Sequence, residues 1–152
     1  MKPINLIEHP EGGRFCEVFR SDTQIKTTDN QDRRALTHIY FSLESNEVSH
    51  FHRVGSDEVW NLYQGRGIYL YLWDGCAKEV TFVTLSAETG EFCHVVPTGI
   101  WQAALPINGS VLVGCSVAPG FEFADFQMME SNSDEARLLR VNNMELNKLI
   151  IA

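Results

Sequence analysis

The sequence predicts an all-β protein, an antiparallel sandwich or barrel with helix only near the C-terminus. Three observations support this fold class. About ten short segments rich in β-branched and aromatic residues follow one another through the middle of the chain. Turn signals containing glycine separate them, and helix signals occur only at the end. Short strands at this spacing within one domain are typical of sandwiches and barrels.

The predicted strands begin with two segments of regular alternation. RFCEVFR (Arg14–Arg20) alternates apolar and polar residues, and THIYFSLE (Thr37–Glu44) places Ile39, Phe41 and Leu43 on one face. The remaining predicted strands, in chain order, are SHFHR, EVWNLYQ, IYLYLW, EVTFVTL, FCHVV, WQAALP, SVLVGCSV and FEFADFQM.

Turn signals punctuate these strands. They are Gly65-Arg66-Gly67, Asp74-Gly75, Gly90, Pro97-Thr98-Gly99 and Asn108-Gly109. Asp-Gly and Asn-Gly tolerate positive φ, so they favour tight hairpins and therefore antiparallel pairing.

At the C-terminal end, Ser133 precedes two acidic residues and ARLLRV, which predicts a capped helix. MELNKLI predicts a second short helix, and both are expected on the outside of the barrel.

Composition narrows the functional classes. The 152 residues are 44% hydrophobic and 21% charged, which predicts one folded domain spanning residues 1–152. Because the formal net charge is −8, the surface is expected to repel nucleic acid. MKPINLIEHPEGG contains no apolar run typical of a signal peptide, and no stretch is apolar enough for a membrane span. We therefore expect a cytoplasmic protein without a membrane partner, whose four separated cysteines are reduced thiols.

One segment, SHFHRVGSDEVWNLYQG (Ser49–Gly65), carries unusual chemistry for a strand. Side chains two residues apart on a strand share a face, so His50 and His52 are expected to point the same way. If the strands on either side of RVGS pair, Glu58 can meet both imidazoles. Two imidazoles and a carboxylate are a common ligand set for a divalent transition metal. The simpler interpretation is a polar strand whose histidines make local hydrogen bonds.

This segment resembles the first motif of the cupin superfamily: His50-x-His52, five residues, Glu58, six residues, Gly65. GEFCHVVPTGIWQAA resembles the second motif, with Gly90, Pro97 and Gly99 in place and Gln102 where a histidine is usual. A wider resemblance, to the DUF985 or cupin-5 family, is carried by four blocks in order. These are HPEGGRFCEVFRS, IYFSLESNEVSHFHRVGSDEVWNLYQG, VVPTGIWQAA and LVGCSVAPGFEFADFQM. The resemblance implies a double-stranded β-helix (jelly-roll) barrel with short C-terminal helices, a pocket in its mouth and a homodimer.

Two chemistries stay open for the predicted site. His50, His52, Glu58 and Gln102 could hold Mn, Fe, Ni or Zn, although an amide oxygen is a poorer ligand than imidazole. Alternatively no metal is present, and His50, His52 and Glu58 act as catalytic acids and bases. Some cupins that isomerise or epimerise keto-sugars joined to nucleotides pair a histidine base with a tyrosine acid, for which Tyr40, Tyr63 and Tyr71 are available.

The predicted substrate-binding residues are Trp60, His94, Gln102 and Tyr40. Trp60 shares the face of Glu58, and core packing explains it equally well. The leading functional prediction is an isomerase-like, epimerase-like or metal-assisted enzyme acting on a carbohydrate-like or nucleotide-sugar ligand. The alternative is a noncatalytic module that binds or senses a small molecule.

Overall fold

Strands dominate the computed structural model, which describes residues 4–152. In chain order, the strands are β1 (Ile7–Glu8), β2 (Arg14–Arg20), β3 (Gln24–Lys26), β4 (Asp32–Arg34), β5 (Thr37–Leu43), β6 (Ser49–Val54), β7 (Asp57–Gln64), β8 (Ile68–Trp73), β9 (Thr81–Leu85), β10 (Cys93–Val96), β11 (Trp101–Pro106), β12 (Val111–Ala118) and β13 (Phe126–Met128). The helical elements are a 3-10 helix at Phe123–Asp125, the α-helix α1 (Asp134–Asn142) and a 3-10 helix at Met144–Leu149. The N-terminal segment in which no signal peptide was predicted begins with residues 1–3, which lie outside this range.

Two antiparallel sheets face each other across the main core. The six-stranded sheet has the order β1-β2-β5-β12-β7-β10, and the five-stranded sheet has the order β13-β6-β11-β8-β9. Apolar side chains from both sheets, including Phe41, Trp60, Leu70 and Val113, are fully buried between them. This confirms the predicted all-β jelly-roll barrel, because alternate residues of each strand fill its interior.

Two tight hairpins were predicted: Asp74-Gly75 lies between the paired antiparallel strands β8 and β9, whereas the hairpin predicted at Asn108-Gly109 is wrong. The turn at Gly65-Arg66-Gly67 joins β7 to β8, and the turn at Asn108-Gly109 joins β11 to β12, but neither pair of strands is hydrogen-bonded. Each turn carries the chain from one sheet to the other. The glycines still need positive φ, for example 97° at Gly65, because a corner between sheets reverses the chain as sharply as a hairpin does.

Three short strands escaped prediction. β1 pairs with the edge of β2, while β3 and β4 form a separate hairpin. They contain only two or three residues each, too few to show alternation. The segment FEFADFQM also differs from the prediction, since its middle, Phe123–Asp125, is a 3-10 helix and only Phe126–Met128 is strand.

The C-terminal segment covers the outer face of the five-stranded sheet. Ser133 caps α1 as predicted, since its hydroxyl accepts a hydrogen bond from the Ala136 amide at 3.1 Å. Leu139 and Leu149 pack against Phe51 and Trp101 of the sheet in a second core. The second predicted helix is of the 3-10 type. Among residues 4–152, no helix has the length and apolarity that a bilayer crossing requires.

Candidate active site

A cavity of about 90 Å³ lies between the two sheets. Its walls come from β2, β5, β7 and β12 of one sheet, from β6 of the other, and from the segment that leads into β13. Its ionisable lining residues are His9, Glu11, Glu17, Arg20, His52, Glu58, Cys115 and Glu122. Most of the remaining wall is apolar, so these groups act in a partly dehydrated space.

Glu11 enters this cavity from a tight turn after β1. Gly12 and Gly13 have φ of 106° and 68°, and the turn lies directly against the strands beneath it. A Cβ on Gly12 would stand 2.1 Å from the Val48 carbonyl oxygen, so only glycine allows this approach. The Glu11 carbonyl accepts the His50 amide at 2.7 Å, which fixes the turn to β6. The Glu11 side chain is consequently buried.

The Glu11 carboxyl group lies between two imidazoles. Its Oε2 is 3.1 Å from His52 Nε2 and 3.4 Å from His9 Nδ1, and its Oε1 accepts the Ser49 hydroxyl at 2.8 Å. His52 Nδ1 contacts the His50 carbonyl at 2.7 Å, which orients the ring. A carboxyl group within about 3 Å of an oriented imidazole is an arrangement that can move protons.

Glu58 occupies the β7 wall of the same cavity. Its Oε2 accepts a hydrogen bond from Gln102 Nε2 at 2.7 Å, and Gln102 Oε1 accepts one from Trp60 Nε1 at 2.7 Å. All three residues are buried. The neighbouring Asp57 is exposed and accepts the Thr98 amide, as strand alternation predicts. The Gln102 amide therefore positions the Glu58 carboxyl group from behind.

Four ionisable side chains, those of Glu11, Glu58, His9 and His52, form what we call the cavity floor, and burial shifts the pKa of each. It raises the pKa of Glu11 to about 7, against the opposing effects of His9 and the Ser49 hydrogen bond. It also raises the pKa of Glu58 to about 7, although His52 opposes the shift. Burial lowers the pKa of His52 and of His9. Carboxyl groups and imidazoles whose pKa burial shifts in this way are typical of acid–base sites.

The structure separates His50 from this group. In the pairing of β6 with β11, Gln102 lies opposite His52 and Ala104 opposite Ser49, so β6 contains one extra residue at a bulge. The bulge lets Ser49 and His52 both point at Glu11, which strict alternation forbids. His50 does not line the cavity, and its Nδ1 contacts the Glu11 carbonyl at 2.8 Å. The expected convergence of both histidines also assumed that β6 pairs with β7, whereas the two strands belong to different sheets.

The predicted ligand set does not fit a metal ion as it stands. His50 lies outside the cavity, and the Gln102 oxygen is already engaged by Trp60. In the part of the chain from residue 4 onward, no group of three or more His, Cys, Asp or Glu side chains is arranged to hold a metal. Glu11 Oε2 instead lies 3.1 Å from His52 Nε2.

The predicted binding residues also fall in different places. Trp60 is a core residue behind Glu58, as its packing interpretation predicted. His94 lies half-buried on β10 and faces a surface groove with Phe82. Tyr40 lies on the outer face of the six-stranded sheet, 5.9 Å from the Tyr63 ring. Within residues 4–152, no tyrosine lines the cavity.

An ion-pair cluster and four phenylalanines complete the cavity. Arg20 donates to both carboxylate oxygens of Glu17, at 3.0 and 2.9 Å, and to Glu122 at 3.1 Å. Regular alternation would place Glu17 and Arg20 on opposite faces. A bulge in β2 between Glu17 and Phe19 brings them together. The phenylalanines lining the cavity are Phe15, Phe121, Phe123 and Phe126.

Sequence reasoning missed Glu11 and His9. The turn HPEGG gives a local signal for chain reversal but none for the direction in which its side chains point. The paired glycines were the available clue, since they allow a backbone approach that brings the intervening carboxyl group inward.

Comparisons with known proteins fit this architecture. A model of the family described as cupin superfamily (DUF985) matches residues 1–129. A search among curated proteins finds no significant match.

Solved structures, in contrast, include similar proteins, and these have the cupin fold. The chain is similar to a hypothetical protein from Leishmania major, with 27% identity, a TM-score of 0.78, and coverage of 95% of this chain and 90% of that one. It is similar to a protein from Shewanella oneidensis, with 31% identity, a TM-score of 0.77, and coverage of 95% and 88%. A capsular polysaccharide assembling protein, CapF from Staphylococcus aureus, shares the fold at 14% identity and a TM-score of 0.60, over 84% of this chain and 34% of that one.

Proposed function

Because the chain belongs to the DUF985 family of the cupin superfamily, we propose that it is a small-molecule enzyme that catalyses proton transfer, of the isomerase or epimerase type. The observation that carries the proposal is the buried Glu11 carboxyl group between His52 and His9. Glu58, on another wall of the same cavity, supplies a second group that can hold a proton.

Proton transfer of this type needs a base that removes a proton from carbon and an acid that supplies one to carbon or oxygen. The Glu11–His52 pair provides one partner, with Glu11 stabilising the imidazolium that forms when His52 accepts a proton. Glu58 provides the other. Its pKa of about 7 leaves both its protonated and its ionised form populated at neutral pH. Since no tyrosine lines the described cavity, a carboxyl group takes the acid role for which Tyr40, Tyr63 and Tyr71 were available.

The cavity suits a small carbohydrate-like ligand better than a nucleotide sugar. Its volume of about 90 Å³ admits the reacting end of a ligand but not a nucleotide. The carboxyl and imidazole groups of the floor can pair with hydroxyls, and the phenylalanine rings can pack on an apolar ring face. The single arginine, Arg20, is already bonded to two carboxylates and offers little to a diphosphate.

A metal-assisted form of the reaction would need a ligand set other than the predicted one. His52 and Glu11, whose side chains face each other at 3.1 Å, would both have to turn toward Mn, Fe, Ni or Zn, and Gln102 would have to release Trp60. Metal analysis of protein purified without chelator tests this alternative. Stoichiometric metal that is lost in His52→Ala would favour it over metal-free proton transfer.

Solvent exchange tests the proposal without knowledge of the product. Protein in D₂O is incubated with a panel of small aldoses and ketoses, and loss of C–H signals is followed by proton NMR. We expect exchange with at least one ligand, reduced about 100-fold in His52→Ala. His94→Ala is the matched control, since His94 lies outside the cavity, and it should retain the wild-type rate.

Binding of a panel member with no exchange above the blank would contradict the enzymatic proposal. That result would favour the noncatalytic binding module. Equal exchange rates in wild type and His52→Ala would show that the activity arises elsewhere.

A further inference from the structure

Acidic side chains outnumber basic ones in the lining of the cavity. Four carboxyl groups, those of Glu11, Glu17, Glu58 and Glu122, share the lining with one guanidinium group. Burial lowers the pKa of both lining histidines, so His9 and His52 do not offset the carboxyl groups as cations at neutral pH. A cleft lined by one sign of charge concentrates ligands of the opposite sign.

Arg20 does not provide an anion-binding site within this lining. Its Nε and Nη2 bond both oxygens of Glu17, its Nη1 bonds Glu122, and Nη2 also bonds the Phe121 carbonyl at 3.1 Å. An anionic ligand group would have to displace carboxylates that belong to the protein. It would then lie among those same carboxylates.

The apolar part of the lining is aromatic. The rings of Phe121, Phe123 and Phe126 form a cluster with centroids 5.0–6.0 Å apart. Phe126 also lies 5.5 Å from the His52 ring, so this cluster extends to the floor. The faces of aromatic rings attract cations, most strongly where water is excluded.

We propose that the cavity binds a ligand carrying an ammonium group, with the Glu11 and Glu58 carboxyl groups accepting its N–H donors and the three clustered phenylalanines packing on the alkyl groups next to the nitrogen, where their ring faces attract the positive charge. Two independent features point to this chemistry, the carboxyl floor and the aromatic wall. The proposal rests on the proposed function and narrows its substrate class to amino-substituted compounds. The whole-chain charge of −8 would also steer a cation toward the protein.

The ionisation of the floor responds to such a ligand. Burial holds the pKa of Glu11 and Glu58 at about 7, so each carboxyl group is partly protonated before a ligand enters. A bound ammonium group favours the ionised carboxylates, and protons are released on binding. A neutral ligand of the same shape has no such effect.

A matched series of probes tests the proposal by binding alone. Isobutylammonium, isobutanol and isobutyrate share a branched carbon skeleton and differ in charge. Dissociation constants are measured at pH 7.5 by ligand-observed NMR. We expect isobutylammonium to bind more than about tenfold tighter than isobutyrate, the equivalent of about 1.4 kcal/mol.

Variants then locate the binding. Glu58→Gln should weaken isobutylammonium binding about tenfold and leave isobutanol within about twofold, because only the charge interaction is lost. Phe123→Leu should weaken the ammonium probe more than the alcohol. Glu88→Gln, at an exposed position away from the cavity, is the matched control and should change nothing.

The proposal is overturned if isobutyrate binds as tightly as isobutylammonium, if Glu58→Gln weakens all three probes equally, or if no probe binds. Circular dichroism of each variant checks that it is folded. Because these measurements need no turnover, ammonium binding can fail while solvent exchange on uncharged sugars succeeds, and the reverse, so the two proposals fail separately.

Discussion

At the residue scale, the buried carboxyl groups of Glu11 and Glu58 reduce stability at neutral pH. A carboxyl group fully removed from water prefers its protonated form, and this preference raises the pKa of both residues to about 7. Groups that oppose folding in their charged state are typical of functional sites, where chemistry outweighs stability.

This pKa shift predicts a pH dependence of folding. Each of the two carboxyl groups has a folded-state pKa raised above its ordinary value of 4.5. The stability that each contributes is therefore fully present below about pH 4.5 and is lost as pH rises through about 7. The lowered pKa values of His9 and His52 act in the opposite direction, since their contribution is lost as pH falls below 6.5.

Glu58→Gln isolates the carboxyl contribution, because the histidines are the same in both proteins. At pH 8 the variant should be more stable than wild type by on the order of 1–3 kcal/mol, since it buries no charge there. At pH 4.5 the gain should disappear. The measurement is urea unfolding of both proteins at the two pH values, and an equal difference at both would contradict the assignment.

The same residues show how far sequence reasoning reaches. The spacing from Glu58 to Gly65 and the alternation of β7 correctly favoured Glu58 over Asp57 as the inward carboxylate. His52 and Gln102 were also expected to face inward, and both do. The placement of His50 failed because alternation assumes a regular strand, whereas the β6 bulge arises from pairing with β11, a strand about fifty residues away.

At the element scale, the turn that carries Glu11 depends on Gly12. A Cβ there would meet the Val48 carbonyl at 2.1 Å with φ at 106°, so Gly12→Ala must move the turn away from β6. We expect a loss of more than about 2 kcal/mol in the free energy of unfolding.

Gly90→Ala is the matched control for this change. Its φ is 76°, but no heavy atom lies within 4 Å of the added Cβ. Only backbone strain remains, about 1–2 kcal/mol. Thermal unfolding compares the two variants. Solvent exchange should fall only in Gly12→Ala, and equal effects of both substitutions would show that contact with Val48 is unimportant.

The cap of α1 is a second test at this scale. Ser133→Ala removes the acceptor for the Ala136 amide and should lower the free energy of unfolding by about 1 kcal/mol. Ser45→Ala, in an exposed turn, should have little effect. Denaturant unfolding measures both, and matching values would show that the cap contributes nothing.

Element pairing was the part of the fold that the sequence left open. Strand positions follow from local alternation, and the α1 start follows from a local cap. Whether two consecutive strands pair or enter different sheets depends on packing across the whole barrel, so the hairpin predicted at Asn108-Gly109 was wrong. The DUF985 resemblance supplied the jelly-roll arrangement that the local patterns could not.

At the scale of the whole molecule, the two outer sheet faces differ. The five-stranded sheet is covered by α1 and the 3-10 helix that follows. The central strands of the six-stranded sheet, β5 and β12, contain no Asp, Glu, Lys or Arg. On the outer face of that sheet, His38 bridges Ser116 and Tyr63 at 2.8 and 2.9 Å, and Tyr63 is 46% exposed.

We propose that the uncharged centre of this outer face, formed by β5 and β12, pairs with a second copy of the chain. Two chains of net charge −8 repel each other, and central strands without carboxylates are where that repulsion is smallest. Sedimentation equilibrium at micromolar concentration should give twice the chain mass of 17.2 kDa. Tyr40→Glu should give the monomer, whereas Val141→Glu, 81% exposed on α1, should leave the dimer intact. A monomeric wild type would refute the pairing.

In such a dimer, the helices that cover the five-stranded sheet determine how many partner chains one chain can bind. Because its own C-terminal segment covers the outer face of the five-stranded sheet, a protomer of the proposed dimer has, among the described residues, one uncovered outer sheet face, that of the six-stranded sheet. A protomer with one such interface binds one partner, so association ends at the dimer. Removing the segment from Asp134 onward would uncover Phe51 and Trp101 and create a second adhesive side, which would turn a self-limiting pair into an open-ended chain of subunits.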